Sequence, residues 1–336
     1  MSFPCRQRGM AKPIRPLRYK TADAPPGAGV HAIQGRREYM EDRTFYASWT
    51  VPGGNPTIPA AARRYEAFGV LDGHGGSQAV DYAKRWLPWI LAQHVSAALG
   101  GRDVPPRGLM KRVIERSFVA LQEQMRVYND ASAERRRFFD VCGTTASIML
   151  RNARYAYVAN LGDSRTVACI RGGGGAGAPP KAVALTRDHK PNGKAERARI
   201  LRLGGAVALD GPHTWRVEPV GLATSRSLGD LDSRQLPNGG RLDHGAYLVS
   251  PQPDVTILDL RTLQTKGTAG CFVFATDGLW DDLSNDEACC IACGARGPQA
   301  AARLLVQTAY KKGSEDNITA LVVPFGSPAA AVRRAL

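Results

Sequence analysis

Short apolar runs and amphipathic stretches alternate along this chain, and two of the runs end alike. Residues 65–71 are largely apolar and read as a buried strand stopping at Asp72-Gly73-His74-Gly75-Gly76. Residues 271–276 read as a second buried strand, stopping at Asp277-Gly278-Leu279-Trp280-Asp281. Ahead of the first lies a stretch rich in aromatic and β-favouring residues, 43–50, joined to it by a Pro/Gly-rich loop. After Gly76 the period changes. Ala79, Val80, Ala83, Trp86, Leu87, Ile90 and Leu91 follow helical spacing, with Pro88 as a place for a kink. Met110, Val113, Ile114, Ser117, Leu121 and Met125 stripe a second helix over 107–128. Residues 146–150, 155–159, 167–170 and 181–185 are short strands with tight connections, which argues for antiparallel sheet. A short helix over 195–203 stops at Gly204-Gly205, residues 231–245 read as a surface loop, and helices over 285–292 and 298–311 precede a strand at 320–324.

Composition narrows the class. At 336 residues, 43% hydrophobic and 22% charged, the chain can bury a large core as one large domain or two ordinary ones. No apolar run approaches the roughly 20 residues needed to cross a bilayer, and no signal-type segment follows the start. The expected setting is therefore intracellular, cytoplasmic and/or nuclear, with no membrane contact. Seven scattered cysteines read as reduced thiols, not a disulfide framework. The net charge of +15 suits nucleic acid, an anionic surface or acidic phosphorylated partners, but no nucleic-acid module accompanies it. Residues 1–28 form a basic arm expected to be flexible, in which Pro13, Pro16 and Pro25 spoil a targeting helix, and 327–336 form a tail. Without a heptad or an apolar seam, a monomer is expected.

The chemistry gathers at acids placed on strand ends and turns: Glu41, Asp42, Asp72, Asp163, Asp277, Asp281 and Asp316. Singly, each reads as a cap or a solvated turn residue. Together they are the oxygen donors that Mg²⁺ and Mn²⁺ prefer, and pairs of such ions commonly act on phosphoryl groups. Convergence in space is a matter for the fold. His74, between glycines and beside Asp72, stands out from His31, His94, His189, His213 and His244, which carry no assignment. Cys290 and Cys293 have C-x-x-C spacing but, with Cys289, read as a helix core face. Gly172–Gly177 reads as a turn, since it lacks the Lys-Ser/Thr of a phosphate-cradling loop.

The words from Arg37 to Asp42, then FGVLDGHGG, CGTTA, NLGDSR, LTRDHKP, LATSRSLGD, ATDGLWDDLS and GSEDNIT, occur in that order over nearly the whole chain. In them the chain resembles the protein phosphatase 2C family of metal-dependent serine/threonine phosphatases. The resemblance implies an α+β fold, a four-layer αββα sandwich of two antiparallel sheets flanked by helices, spanning 29–326. It implies two Mg²⁺ or Mn²⁺ ions: Asp72 bridging, Asp277 and Asp316 on one side, Glu41 and the Gly73 carbonyl on the other. Asp42 would hold a metal-bound water, and Asp163 and Asp281, with Asp277, match positions for a weaker third ion. Arg37 would bind the substrate phosphate, His74 would protonate the leaving serine or threonine oxygen, and Asn317 would support Asp316. A metal-activated water, with no covalent phosphoenzyme, would act on phosphoprotein substrates. The flap-like region 193–221 carries Arg197, Arg199, Arg202 and Arg216, which would favour acidic ones. Cys142 replaces a frequent Ser. The rival is a catalytically silent binding module of the same fold, which would be expected to have lost some of these acids.

Overall fold

The strand expected at 65–71 is β4 (Arg64–Leu71), buried from its second residue to its last. In this computed structural model, residues 20–52, 63–100, 107–131, 138–171, 179–243, 245–263 and 269–325 are described. The expectations for residues 1–19, the Gly172–Gly177 turn, His244 and the 327–336 tail lie outside them. β4 pairs antiparallel with β3 (Arg43–Thr50) and β7 (Ala146–Arg151). β1 (Lys20–Ala22), β8 (Tyr155–Leu161) and β14 (Asp254–Asp259) complete a six-stranded sheet in the order β1-β3-β4-β7-β8-β14. Glu66 can be buried in this strand because Arg151 Nε donates to it at 2.8 Å and Tyr46 Oη at 3.0 Å.

The second sheet has five strands, β10 (Lys181–Ala184), β9 (Arg165–Arg171), β15 (Ala269–Ala275), β16 (Ile318–Pro324) and β2 (Gly29–Ile33), in that order. Alternation along the strands divides the core into layers. Phe68 and Val70 of β4 face Phe272, Phe274 and Leu321 between the sheets, and the Phe68 and Phe274 rings meet edge-on at 5.7 Å. Ala67 and Leu71 turn the other way, toward α1 (Gln78–Leu99) and α2 (Arg107–Asp130). Val273 and Ala275 of β15 likewise face a helical layer. That layer contains α5 (Asn285–Gly294) and α6 (Pro298–Lys312), reached through the short α4 (Asp277–Trp280). The expected αββα sandwich is therefore the observed fold.

Local signals account for several boundaries. α1 continues through Pro88 for a further eleven residues. Ser284 and Glu287 exchange hydrogen bonds in a capping box that starts α5 a few residues beyond Asp281. The flap-like region is α3 (Lys194–Arg202) followed by a hairpin of β11 (Ala206–Asp210) and β12 (Thr214–Glu218). Residues 20–28, assigned from sequence to the arm, belong to the folded part: β1 pairs with β3, and Asp23 accepts from Lys84 at 2.8 Å.

The cysteines require a correction. Cys169 and Cys289, with Cα atoms 5.0 Å apart, form a disulfide, contrary to the expectation of reduced thiols throughout. Cys169 projects from β9 toward α5, where Cys289 lies on the buried face. Cys290, about 100° further round the helix, is exposed and does not join the core face expected of it.

Candidate active site

Antiparallel pairing sets the beginning of one strand beside the end of its neighbour, which is how distant acids become neighbours. Glu41 and Asp42 precede β3, whose first residue pairs with Leu71, immediately before Asp72. Asp316 and Asn317 precede β16, whose Ala320 pairs with Ala275, two residues before Asp277. Asp163 follows β8 at the same end of the first sheet. The carboxylates thus come from both sheets at one end of the sandwich. β5 (Gly73–His74), β6 (Gly143–Thr144) and β13 (Leu228–Gly229) form a small three-stranded sheet beside them.

The electrostatics register this crowding. Burial, then the charges of Asp277, Asp42, Asp163 and Asp316, push the Asp72 carboxyl well above the usual range. Asp277 is pushed up to about 8 by burial and Asp163, against the opposing pull of Lys190. Burial raises Asp42 to about 7 although the Thr276 hydroxyl donates to its Oδ2 at 2.8 Å. Asp42 Oδ1 is buried without a donor. Asp281 is raised as well, first by burial. Lys190, on the loop before α3, answers this field: its ammonium lies 2.5 Å from Asp163 Oδ2 and 3.8 Å from Asp277 Oδ2.

Hydrogen bonds hold the rim. Arg37 donates to Asp316 Oδ2 at 2.7 Å while its side chain stays 59% exposed, leaving donors free toward solvent. Arg36 is engaged elsewhere, over the Tyr310 ring and on the Gly313 carbonyl, so Arg37 is the arginine of the pair facing the acids. Glu41 Oε1 accepts from the Gly76 amide at 2.6 Å, and the Glu41 amide donates to Asn317 Oδ1 at 2.8 Å. Asn317 Nδ2 reaches the Gln34 and Tyr39 carbonyls, tying the Arg37 loop to β16. A side chain at Gly73 would put Cβ 2.8 Å from the Glu41 carbonyl, so only glycine lets the Asp72 and Glu41 segments approach this closely.

His74 Nε2 faces Asp230 Oδ2 at 2.8 Å. Burial alone would lower this imidazole, but Asp230, followed by Asp163 and Glu41, raises it, which favours the protonated form. Asp230 also accepts from the Ser227 hydroxyl and has φ 47°, the one positive value outside glycine among the described residues. A Cβ on Gly143 would stand 2.2 Å from Asp230 Oδ2 and 2.6 Å from His74 Nε2.

Among the described residues, no three His, Cys, Asp or Glu side chains close to metal-ligand geometry. The donor set nevertheless fits hard divalent ions: it is all oxygen, mutually repelling, and includes the undonated Asp42 Oδ1.

A family model described as Protein phosphatase 2C matches residues 27–318. The chain belongs to the protein phosphatase 2C family. It is 34% identical over 297 residues to Protein phosphatase 1L of Bos taurus, covering 88% of this chain and 71% of that protein. It is 33% identical to Probable protein phosphatase 2C 76 of Arabidopsis thaliana, covering 91% of this chain and 61% of the relative. The fold is similar to the crystal structure of a serine-threonine phosphatase 2C from Toxoplasma gondii. That match has a TM-score of 0.69 at 24% identity and covers 93% of this chain and all of that one.

For this protein phosphatase 2C chain, two residues of the site went unassigned in the sequence reading. Asp230 ends the word LATSRSLGD and Lys190 lies in LTRDHKP; both sit on loops, without the apolar strand that marks Asp72 and Asp277. The flap arginines divide. Arg199 is part-buried on Glu196 and Arg216 pairs with Asp210, whereas Arg197 and Arg202 are exposed. The first two are engaged in ion pairs within the flap-like region.

Proposed function

We propose that this chain is a Mg²⁺- or Mn²⁺-dependent protein serine/threonine phosphatase hydrolysing phosphoserine and phosphothreonine directly with water. The observation that carries the reading is the buried crowding of Asp42, Asp72, Asp163, Asp277 and Asp316, where burial first and mutual repulsion second hold Asp72 and Asp277 above ordinary carboxylates. Such a cluster calls for cationic charge. Asp72 would bridge two ions, with Asp277 and Asp316 on one and Glu41 and the Gly73 carbonyl on the other, while Asp163 and Asp281 would hold a weaker third with Asp277. Bound there, the ions supply Lewis-acid activation of water and neutralise the phosphoryl charge.

The chain's own residues do the remainder. Arg37 presents a planar fork at the rim suited to two phosphate oxygens. His74, kept protonated by Asp230, gives its proton to the departing seryl or threonyl oxygen. Asp42, fixed by Thr276, accepts a hydrogen bond from water. Cys142 is no candidate nucleophile: burial pushes its thiol up to about 11, and it donates to the Phe138 carbonyl. Exposed Arg197 and Arg202 support acidic sequences around the phosphorylated residue.

Lys190 favours one alternative, a silent binding module in which the ammonium replaces a cation. Hydrolysis of a phosphothreonine peptide with Mn²⁺ or Mg²⁺, and with EDTA, separates the two. Metal-dependent turnover, lost in folded Asp72→Asn and Asp277→Asn, supports the enzyme. Folded protein with no turnover on several phosphopeptides at any metal concentration leaves the module.

A further inference from the structure

Four cysteines meet at the end of the second sheet remote from the carboxylates. Cys169 of β9 and Cys271 of β15 are directly paired in register. Both face α5, where Cys289 and Cys293 are one turn apart and therefore lie on one side of the helix. Two parallel rungs result. One is closed as the Cys169–Cys289 disulfide; the other, Cys271 and Cys293, is open, with both cysteines free. The open rung borders a cleft of about 180 Å³, lined also by Arg171, Gly270, Pro298 and Pro324.

We propose that Cys271 and Cys293 are a peroxide-oxidisable dithiol that closes a second disulfide beside Cys169–Cys289. Their environments differ in the manner such a pair requires. The adjoining Cys271 thiol, and after it the positive charge of Arg171, bring Cys293 down to about 7 despite its partial burial. Cys271 shifts upward, through its neighbour Cys293 and through burial. Arg171 also donates to the Cys293 carbonyl, holding its charge beside the C-terminal turn of α5.

The chemistry balances with hydrogen peroxide as oxidant. The Cys293 thiolate attacks one peroxide oxygen; an S–O bond forms, the O–O bond breaks and hydroxide leaves, so sulfur is oxidised to the sulfenic acid and peroxide is reduced. Hydroxide takes up the proton Cys293 lost on ionising. Cys271 sulfur then attacks Cys293 sulfur; the S–S bond forms, the S–O bond breaks, and water leaves with the Cys271 proton. The new link joins the strand leading into Asp277 to the helix leading away from Asp281.

The test treats the full chain with hydrogen peroxide, blocks free thiols with iodoacetamide, digests without reduction and maps peptides by mass spectrometry. The expected product is a Cys271–Cys293 linked peptide, with Cys293 losing alkylation at least about tenfold faster than exposed Cys290. In Cys271→Ser, Cys293 stops at a sulfenic acid trapped by dimedone. Should that buried serine prevent folding, Arg171→Gln leaves both thiols in place and slows Cys293 oxidation about fivefold. Activity of the reduced variants is unchanged, because β15 separates this rung from the carboxylates. Cys271 and Cys293 both remaining alkylatable after peroxide, a link from Cys293 to Cys290 instead, or four reduced cysteines holding zinc would each overturn the proposal.

Discussion

Asp230 Oδ2 stands 2.8 Å from His74 Nε2, and the same carboxylate accepts from Ser227 while its own backbone occupies the left-handed region. Strain of this kind persists only where the surroundings hold it, and here it aims a carboxylate at an imidazole. On the proposed reading, Asp230 is a positioning residue acting through His74.

Proton donation matters most when the leaving oxygen is basic. His74→Ala should lower kcat on a phosphothreonine peptide by about 10² to 10⁴. On p-nitrophenyl phosphate, whose leaving group departs without help, the loss should be much smaller. Asp230→Asn should reproduce the same split at about tenfold on the peptide. Equal losses on both substrates would refute the general-acid role.

The two neighbouring arginines should separate cleanly. Arg37→Ala, removing the exposed guanidinium on Asp316, should raise KM for phosphopeptides by roughly tenfold or more, as loss of a charged hydrogen-bonding fork does. Arg36→Ala, which loses only Tyr310 and the Gly313 carbonyl, should leave KM near wild type. Steady-state kinetics on both variants decides it.

Acid sensitivity should trace in part to Glu196. Burial opposes its ionisation, but hydrogen bonds from Arg226 and the charges of Arg199 and Arg226 prevail and carry its carboxyl from 4.5 down to about 2. A carboxyl depressed by folding stabilises the native state above its unfolded value and loses that contribution as pH falls through its folded one. The loss from this group therefore falls between pH 4.5 and about 2. Glu196→Gln should cost about 3 kcal/mol at neutral pH, by stranding two part-buried arginines, and should flatten the decline in that window. Urea titrations at several pH values test both statements.

The sheet-to-sheet contact can be probed at one ring. Phe274→Ala removes the partner of Phe68 and should lower unfolding free energy by about 3 to 5 kcal/mol, with no new exposed surface in the native state. Denaturant unfolding with an unchanged m-value is the check.

How far the chain could be read follows from where each signal resides. β4 and β15 were legible because both are buried over most of their length, so their residues are largely apolar, and each leads into an Asp-Gly turn. β14 was not: it edges its sheet, and its exposed Asp254 and Thr256 and half-buried Asp259 resemble loop composition. β1 is three exposed residues whose strand character comes only from pairing with β3. The acids were legible through position at strand ends; Asp230 and Lys190 were not, since their roles depend on loops folding back over long sequence distances. The Cys169–Cys289 bond, 120 residues apart, leaves no trace in local spacing.

In the second sheet, β2 has a single strand partner, and that partner is β16. β2 must therefore wait for a strand made almost three hundred residues later, and Asp316 comes into place only when that late strand docks. On the ribosome, a chain that has emerged as far as Asp277 already carries most of the cleft's carboxylates, yet its second sheet stays unclosed and the Arg37 loop has no Asn317 to hold it. Synthesis itself thus completes the cleft last, when the strand that brings Asp316 and Asn317 is made.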